Sequence, residues 1–251
     1  MQVPPGYPQG PSQGPGDKFS DFATGTEWVM DPYGLWKPLN TVHSAECTIK
    51  EDFLFSSSET GEIGELGWSF TNGTASTQTP EAGHPGILRR MSASTQNQIA
   101  SMYPGGNNTA TRCIIDELRM LEFIARPVAP TTDVIVRVGI ADTLNSSPPS
   151  NGIYVEHLNT DSNWFGVCRA SNAQTRLDLG VAYDVSWRDF RIVYTPGAGV
   201  GFYSGDTLIG TITQNIPSSV AALFGIDIIP TQASARAIDL DYFALVLATS
   251  R

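Results

Sequence analysis

The amino-acid sequence predicts an all-β domain of two antiparallel sheets stacked face to face, preceded by an extended N-terminal arm. Three observations carry that expectation. Several segments alternate apolar and polar residues with a period of two: Val134, Val136, Val138 and Ile140 with Asp133 and Arg137; Phe190, Ile192 and Tyr194 with Asp189 and Arg191; Ile238, Leu240 and Tyr242 with Asp239 and Asp241. The 251 residues include 24 Gly and 17 Pro, a supply of turn formers that suits many short strands. Hydrophobic residues make up 41% and charged residues 16%, against a usual charged fraction of about 25%, which also fits a surface partly covered by neighbouring subunits. A chain of this length runs as one sandwich with an appendage.

The first element is a flexible arm, residues 1–16, MQVPPGYPQGPSQGPG. It has too little apolar surface to offset the entropy of ordering by itself, so it reads as a disordered tail or as a tether that orders across another subunit. Residues 17–45 follow as an irregular linker with Phe22, Trp28, Tyr33, Leu35 and Trp36, broken by Asp31-Pro32 and Lys37-Pro38. Large aromatics without periodicity need a surface to pack on, either one end of the sandwich or a partner. Tyr7, Phe22, Trp28, Tyr33 and Trp36 are the expected partner-docking residues.

Residues 46–251 carry the sandwich, of jelly-roll type. Strands are expected over 49–55, 67–72, 86–91, 98–102, 113–125, 133–141, 152–159, 164–170, 176–178, 187–194, 200–204, 207–213, 222–229 and 237–247. Helical turns are expected only near 218–222 and 61–66. Gly205-Asp206 marks a tight hairpin, and Ser146 to Gly152 is a strong strand breaker. Asn72, Asn107 and Asn145 open glycosylation-type triplets that serve here to mark polar loops. The absence of a tandem repeat argues against a propeller or solenoid.

The formal net charge of -10 and the lack of any Lys/Arg run argue against nucleic-acid binding. No charged segment followed by an apolar one opens the sequence, and no apolar run approaches the roughly 18 residues that cross a bilayer. A soluble protein without membrane contact is the expectation. Cys47, Cys113 and Cys168 are odd in number and widely spaced, and are expected to be buried, inert thiols rather than disulfide or zinc partners.

A search for catalytic groups finds no complete set. His43, His84 and His157 stand far apart; His84 in Gly-His-Pro-Gly suits a rigid loop, and His157 beside Glu156 reads as a paired surface histidine. No nucleophile elbow or phosphate loop is present, and Gly197-Ala-Gly-Val-Gly lacks the following helix that would give it an anion site. Asp239 and Asp241 have the spacing of paired acids on one strand, but the third acid of the glucanase pattern E-x-D-x-x-E is replaced by Ala244. Glu62 and Glu65 read as solvated turn residues. No catalytic residue, cofactor or metal ligand is therefore expected, and the chain reads as a non-enzyme. A lectin-like alternative would join loop carboxylates, holding calcium or sugar, to an aromatic platform, with Tyr154 and Trp164 as possible glycan contacts.

Glu51-Asp-Phe-Leu, Gly61-Glu-Ile-Gly-Glu-Leu-Gly-Trp68, His84-Pro-Gly-Ile, Asn151-Gly-Ile-Tyr-Val-Glu156, Gln174-Thr-Arg and Asp239-Leu-Asp-Tyr-Phe243 together resemble structural proteins of tailed bacteriophages. The resemblance spans roughly 51–251 and implies a concanavalin A-like jelly roll in a virion assembled in the host cytoplasm. It implies a capsid decoration (cement) protein, homo-oligomeric and trimeric by preference, whose partners are the major capsid protein or other virion proteins. A tail-fibre or receptor-binding component that recognises host polysaccharide is the alternative, and a polysaccharide lyase or glycosidase ranks last.

Overall fold

A computed structural model describes residues 18–21, 26–30, 36–39, 46–54, 64, 66–104, 112–129, 132–144 and 148–248. The chain divides into two units, Met1–Cys47 with Ala248–Arg251, and Thr48–Leu247. In the first unit β1 (Lys18–Asp21), β2 (Thr26–Met30) and β3 (Trp36–Leu39) form an antiparallel three-stranded sheet. Phe19 stands opposite Trp28, and Trp28 opposite Pro38. The expected irregular linker is corrected here: Thr26-Glu-Trp-Val-Met is β-prone and pairs on both sides, while Pro38 is tolerated because β3 is an edge. Of the expected docking residues, Trp28 lies on β2 and Trp36 opens β3; Tyr7, Phe22 and Tyr33 fall outside the described residues.

The remaining strands are β4 (Glu46–Glu51), β5 (Trp68–Phe70), β6 (Gly73–Gln78), β7 (Ile87–Ser92), β8 (Ala100–Pro104), β9 (Arg112–Ile114), β10 (Leu118–Pro127) and β11 (Val134–Ala141). They continue with β12 (Gly152–His157), β13 (Asn163–Ala170), β14 (Ala173–Ala182), β15 (Arg188–Thr195), β16 (Gly199–Ser204), β17 (Thr207–Ile212), β18 (Ala221–Pro230) and β19 (Ala237–Ala248). The first sheet runs β17-β16-β15-β10-β19-β7-β6, with β4 also on β19. The second runs β14-β13-β12-β11-β18-β8-β5, with β9 also on β18. Each pairing along these two strand orders is antiparallel, and the two sheets form the jelly-roll sandwich that the alternation predicted.

The core lies between the sheets. Val134, Val136, Val138 and Ile140 of β11 share one buried core with Leu121, Phe123 and Ala125 of β10 and Ile238, Leu240 and Leu245 of β19. Each fully buried Leu, Ile or Phe contributes about 1.5–3 kcal/mol. Two aromatic groups anchor the layer. Trp68 meets Phe53, Phe224 and Phe243 at 5.7, 6.2 and 5.3 Å, and Trp164 meets Tyr183 and Phe190 at 5.0 and 5.5 Å.

Two charged side chains are built into this interior. Glu51 accepts the N–H of Phe53 at 3.0 Å, the N–H of Leu66 at 2.9 Å and the indole N–H of Trp68 at 3.3 Å. A Cβ at Gly64, whose φ is +76°, would lie 2.4 Å from the Glu51 carboxylate, so glycine is required both for the turn and for the approach. Several of the motif residues thus make a socket for one carboxylate. Arg90 is fully buried and donates to the carbonyls of Thr71, Thr74, Met91 and Ser101, tying β6 and β7 of one sheet to β8 of the other. Burial lowers its pKa to about 10.

Local differences from the sequence reading have plain causes. β6, GTASTQ, lacks large apolar residues because it is a half-solvated edge. The expected strand 113–125 is interrupted by a 3-10 turn, Ile115–Glu117, and the helical turn expected at 218–222 gives way to the start of β18. Cys113 and Cys168 are buried and their thiols are pushed up to about 12, but Cys47 is exposed, which corrects the expectation of three buried thiols.

Candidate functional site

Alternation that sends Val136, Val138 and Ile140 inward sends Arg137 and Gly139 to the outer face of the second sheet. The same logic places Ser101 of β8, Asp227 of β18, Tyr154 and Glu156 of β12 and Phe165 of β13 on that face. Register then aligns them. Ser101 stands opposite Asp227, Asp227 opposite Arg137, Arg137 opposite Glu156, and Glu156 opposite Phe165, a single row across five adjacent strands.

The row is a chain of alternating charge. Ser101 Oγ donates to Asp227 Oδ1 at 2.7 Å, and Arg137 Nε donates to Glu156 Oε2 at 2.7 Å. Arg176 of β14 sits with Nε 3.2 Å from Glu156 Oε1, donates from Nη2 to Asp161 Oδ2 at 2.5 Å, and has its guanidinium carbon 4.0 Å from the centre of the Phe165 ring. Arg137, Glu156 and Asp227 are 5%, 2% and 1% exposed, although they lie outside the core. Such burial costs free energy unless charges are paired, and Asp227 meets that condition least well. Burial pushes its carboxyl up to about 7, against the Ser101 hydrogen bond and the positive charges of Arg137 and Arg90.

Beside this row lies a second, Gly225, Gly139, Tyr154, Val167 and Arg176. Tyr154 is 2% exposed, and its hydroxyl finds no partner among the described residues. A narrow cleft between Tyr154 and Asp227 is walled by Gly139, Ala141, Leu144 and Pro149 and bordered by Arg137.

The paired acids expected on β19 have a different setting. Asp239 is fully buried and accepts Arg89 Nε at 2.7 Å and Nη2 at 3.0 Å, and Arg126 Nε and Nη2 at 3.1 Å. Arg126 also holds Glu81 at 2.6 and 2.8 Å. Asp241 occupies a bulge of β19 and holds His84 Nδ1 at 2.9 Å. The His84 ring stacks on Trp187 at 4.2 Å, and the Arg126 guanidinium lies 4.4 Å from the same indole. Asp239 is held by two guanidinium groups and Asp241 by the His84 ring, and the cluster fastens the loop around Glu81 and His84 to the first sheet.

The two aromatics expected as glycan contacts part company. Trp164 is wholly buried in the core, so its reading as an exposed platform is corrected: its place on β13 puts it on the inward face. Tyr154 does lie on the outer face. His157 is also interior rather than a surface residue, stacked on Tyr183 at 3.5 Å with Nε2 3.1 Å from the Asp161 carbonyl oxygen, and burial lowers its pKa. Sequence reasoning missed Ser101, Arg137, Asp227 and the pairing of Glu156. The signal was a lone charge inside an otherwise apolar run, as in Val-Ile-Val-Arg137-Val, Ile-Tyr-Val-Glu156 and Phe-Gly-Ile-Asp227-Ile-Ile. Among the described residues, no three His, Cys, Asp or Glu side chains gather closely enough to hold a metal ion.

No family model and no curated protein matches the sequence. Solved structures do match over most of the chain. A protein of unknown function from Shewanella oneidensis MR-1 is 18% identical, covers 82% of this chain and 89% of its own, and has a TM-score of 0.53. Bacillus licheniformis beta-glucanase is 13% identical over 81% of this chain and 98% of its own, with a TM-score of 0.52. The catalytic domain of an endo-1,3-beta-glucanase (laminarinase) from Thermotoga petrophila RKU-1 is 11% identical over 80% and 97%, with a TM-score of 0.54. At these identities the likeness establishes the architecture: a concanavalin A-like jelly roll, of the kind on which glucanases are built. The expectation of a non-enzyme does not stand against neighbours that are named glucanases.

Proposed function

We propose that the protein recognises polysaccharide across the outer face of its second sheet. One observation carries this reading: the row Ser101, Asp227, Arg137, Glu156 and Phe165, extended by Arg176 and Asp161, spends five charged side chains on a face that the core does not need. Alternating donors and acceptors beside the Arg176 guanidinium over the Phe165 ring suit a ligand rich in hydroxyls. The glucanase architecture of the neighbours supports the same substrate class. The test is retardation of the protein in gels cast with soluble β-1,3-1,4-glucan. Wild-type protein is retarded, and Phe165→Ala with Arg176→Ala is not; equal migration of wild type with and without glucan removes the proposal.

Hydrolysis is a second reading, favoured by the Asp227 carboxyl at about 7. An acid that holds its proton near neutrality can serve as a general acid, and Glu156 in the same row is the second carboxyl group that such a reaction needs. Their backbones are two strand spacings, roughly 10 Å, apart, which suits an inverting rather than a retaining pair. Release of reducing ends from the glucan, abolished by Asp227→Asn, is the expected outcome; no release from wild-type protein leaves binding alone. The motif resemblance to tailed-phage structural proteins supports a virion as the setting, with capsid decoration through the N-terminal arm as its finer form. Hundreds of copies per purified particle are expected for a shell protein, and a few dozen at most would place it on the tail.

A further inference from the structure

Ser101 Oγ stands between two acceptors. It lies 2.7 Å from Asp227 Oδ1, and it is also hydrogen-bonded to the carbonyl oxygen of Leu144, in the segment that follows β11. The serine itself is held from both sides. Its N–H donates to Thr71 Oγ1 at 3.2 Å, and its carbonyl oxygen accepts the Thr71 N–H at 2.9 Å and Arg90 Nη2 at 3.2 Å. What remains open is the direction of its hydroxyl proton.

The seat of Leu144 is built on the outer face of the second sheet. Its side chain is buried with Ala141 and Leu223 against Tyr103. Gly225 on β18 leaves the space, since a Cβ there would come 2.9 Å from Leu144 Cδ1. The root of the segment is fixed separately: the Asp142 N–H donates to the Asn151 carbonyl oxygen at 2.9 Å, and Asn151 Nδ2 donates to Asp142 Oδ2 at 2.9 Å. Leu144 is thus the point at which the segment answers to Ser101 and Asp227.

Proton counting decides which bonds can coexist. A serine hydroxyl has one hydrogen to give and can also accept; a protonated carboxyl has one to give, and a carboxylate has none. With Asp227 protonated, its O–H donates to Ser101 Oγ and the Ser101 hydroxyl donates to Leu144, so both contacts are hydrogen bonds. With Asp227 ionised, the carboxylate is the stronger acceptor and draws the Ser101 proton, and the Leu144 carbonyl oxygen loses that donor. Both states are reached near neutrality, because burial pushes the Asp227 carboxyl up to about 7. The other charged or titratable groups around it are Arg137 on β11 with Glu156 beyond it, Arg90 on β7, Tyr154 on β12 and Asp142 at the root of the Leu144 segment. Burial raises the Tyr154 phenol above its ordinary value, so it keeps its proton through this range.

We propose that Ser101 and Asp227 form a proton-operated latch on Leu144, closed when Asp227 carries a proton and released when it is ionised. Leu144 is one wall of the cleft beside Tyr154, so the latch changes the surface that the second sheet presents on either side of neutral pH. It stands whether or not that face binds polysaccharide. Loss of one hydrogen bond lowers the ratio of seated to released Leu144 about tenfold.

The test follows the Leu144 methyl groups by NMR in leucine-labelled full-length protein, assigned with Leu144→Met, from about pH 5 to about pH 9. The Asp227 carboxyl carbon is followed over the same range. The latch predicts that the Leu144 methyls leave their low-pH position with a midpoint near 7, shared with the Asp227 carbon. In Asp227→Asn, whose side-chain amide can donate to Ser101 at every pH, they keep the low-pH position throughout. In Ser101→Ala, which has no hydroxyl to give, they hold the high-pH position throughout. Methyls that stay still while Asp227 titrates, or that move with a different midpoint, overturn the latch. An Asp227 carbon that does not titrate in this range, or a methyl shift that persists in Asp227→Asn, overturns it as well. Should either variant fail to fold, the shared midpoint in wild-type protein decides.

Discussion

Asp227 and Asp239 make an instructive pair. Both sit on central strands, both point away from the core, and both are essentially inaccessible, at 1% and 0% exposure. Asp239 lies between two guanidinium groups, Arg89 and Arg126, which together fill both of its oxygens. Asp227 has a hydroxyl from Ser101, and its nearest guanidinium in register, Arg137, is committed to Glu156. Equal burial therefore has opposite consequences. The first carboxylate is a structural fastening, while burial lets the second hold its proton to about 7.

Removing the saturated carboxylate has the largest effect. Asp239→Ala strips Arg89 and Arg126 of a shared anion in a shielded site, and the expected loss is about 3–5 kcal/mol. Urea denaturation with an unchanged m-value checks this. A loss under 1 kcal/mol would mean that both guanidinium groups reach solvent when released, and the contrast with Asp227 would lose its basis.

Asp227→Asn is expected to act in the opposite direction and to depend on pH. The folded carboxyl at about 7 lies above its ordinary value of 3.8, so the folded state binds the proton more tightly than the unfolded chain. Stability from this group is complete below about pH 4, declines as pH rises toward 7 and is level above that. The shift corresponds to something on the order of 2–4 kcal/mol. Asparagine keeps the shape without the charge, so the variant should be more stable than wild type at pH 8, equal at pH 4, and flatter between. Melting temperatures across that range measure it, and parallel curves for the two proteins would show that Asp227 is ionised throughout.

The two sites also differ in how far the sequence revealed them. Asp239 and Asp241 stood out because they share one strand at a spacing of two, and the strand itself was plain from Ile238, Leu240 and Tyr242. Ser101, Arg137, Glu156 and Asp227 come from four strands, of which β8 and β12 never touch, and only the order β12-β11-β18-β8 brings them into one row. Periodicity reports which face a residue takes; it does not report which strand lies next to it. The same reason explains Trp164 and His157: their strands were legible, but inward or outward depends on the sheet's layer, and a shift of one residue reverses the answer. Composition was a poor guide at the edges, where β6 has no apolar signature, and in 17–45, where three short strands pair with one another.

The smallest expected effect concerns His84. Its ring joins Asp241 to Trp187, and the loop that carries it also brings Glu81 to Arg126. In His84→Ala, Asp241 loses one partner at a partly accessible site, and one face of the Trp187 ring is uncovered while Arg126 retains its contact with that indole. A cost of about 1 kcal/mol follows from one hydrogen bond and one ring contact. Because these contacts lie on the first sheet, glucan retardation should be unchanged while the melting temperature falls by a few degrees, about 2–4 °C for a chain of this size. Loss of glucan binding in this variant would move the recognition surface from the second sheet to the first, since the His84 contacts, Asp241 and Trp187, lie apart from the Asp227 row.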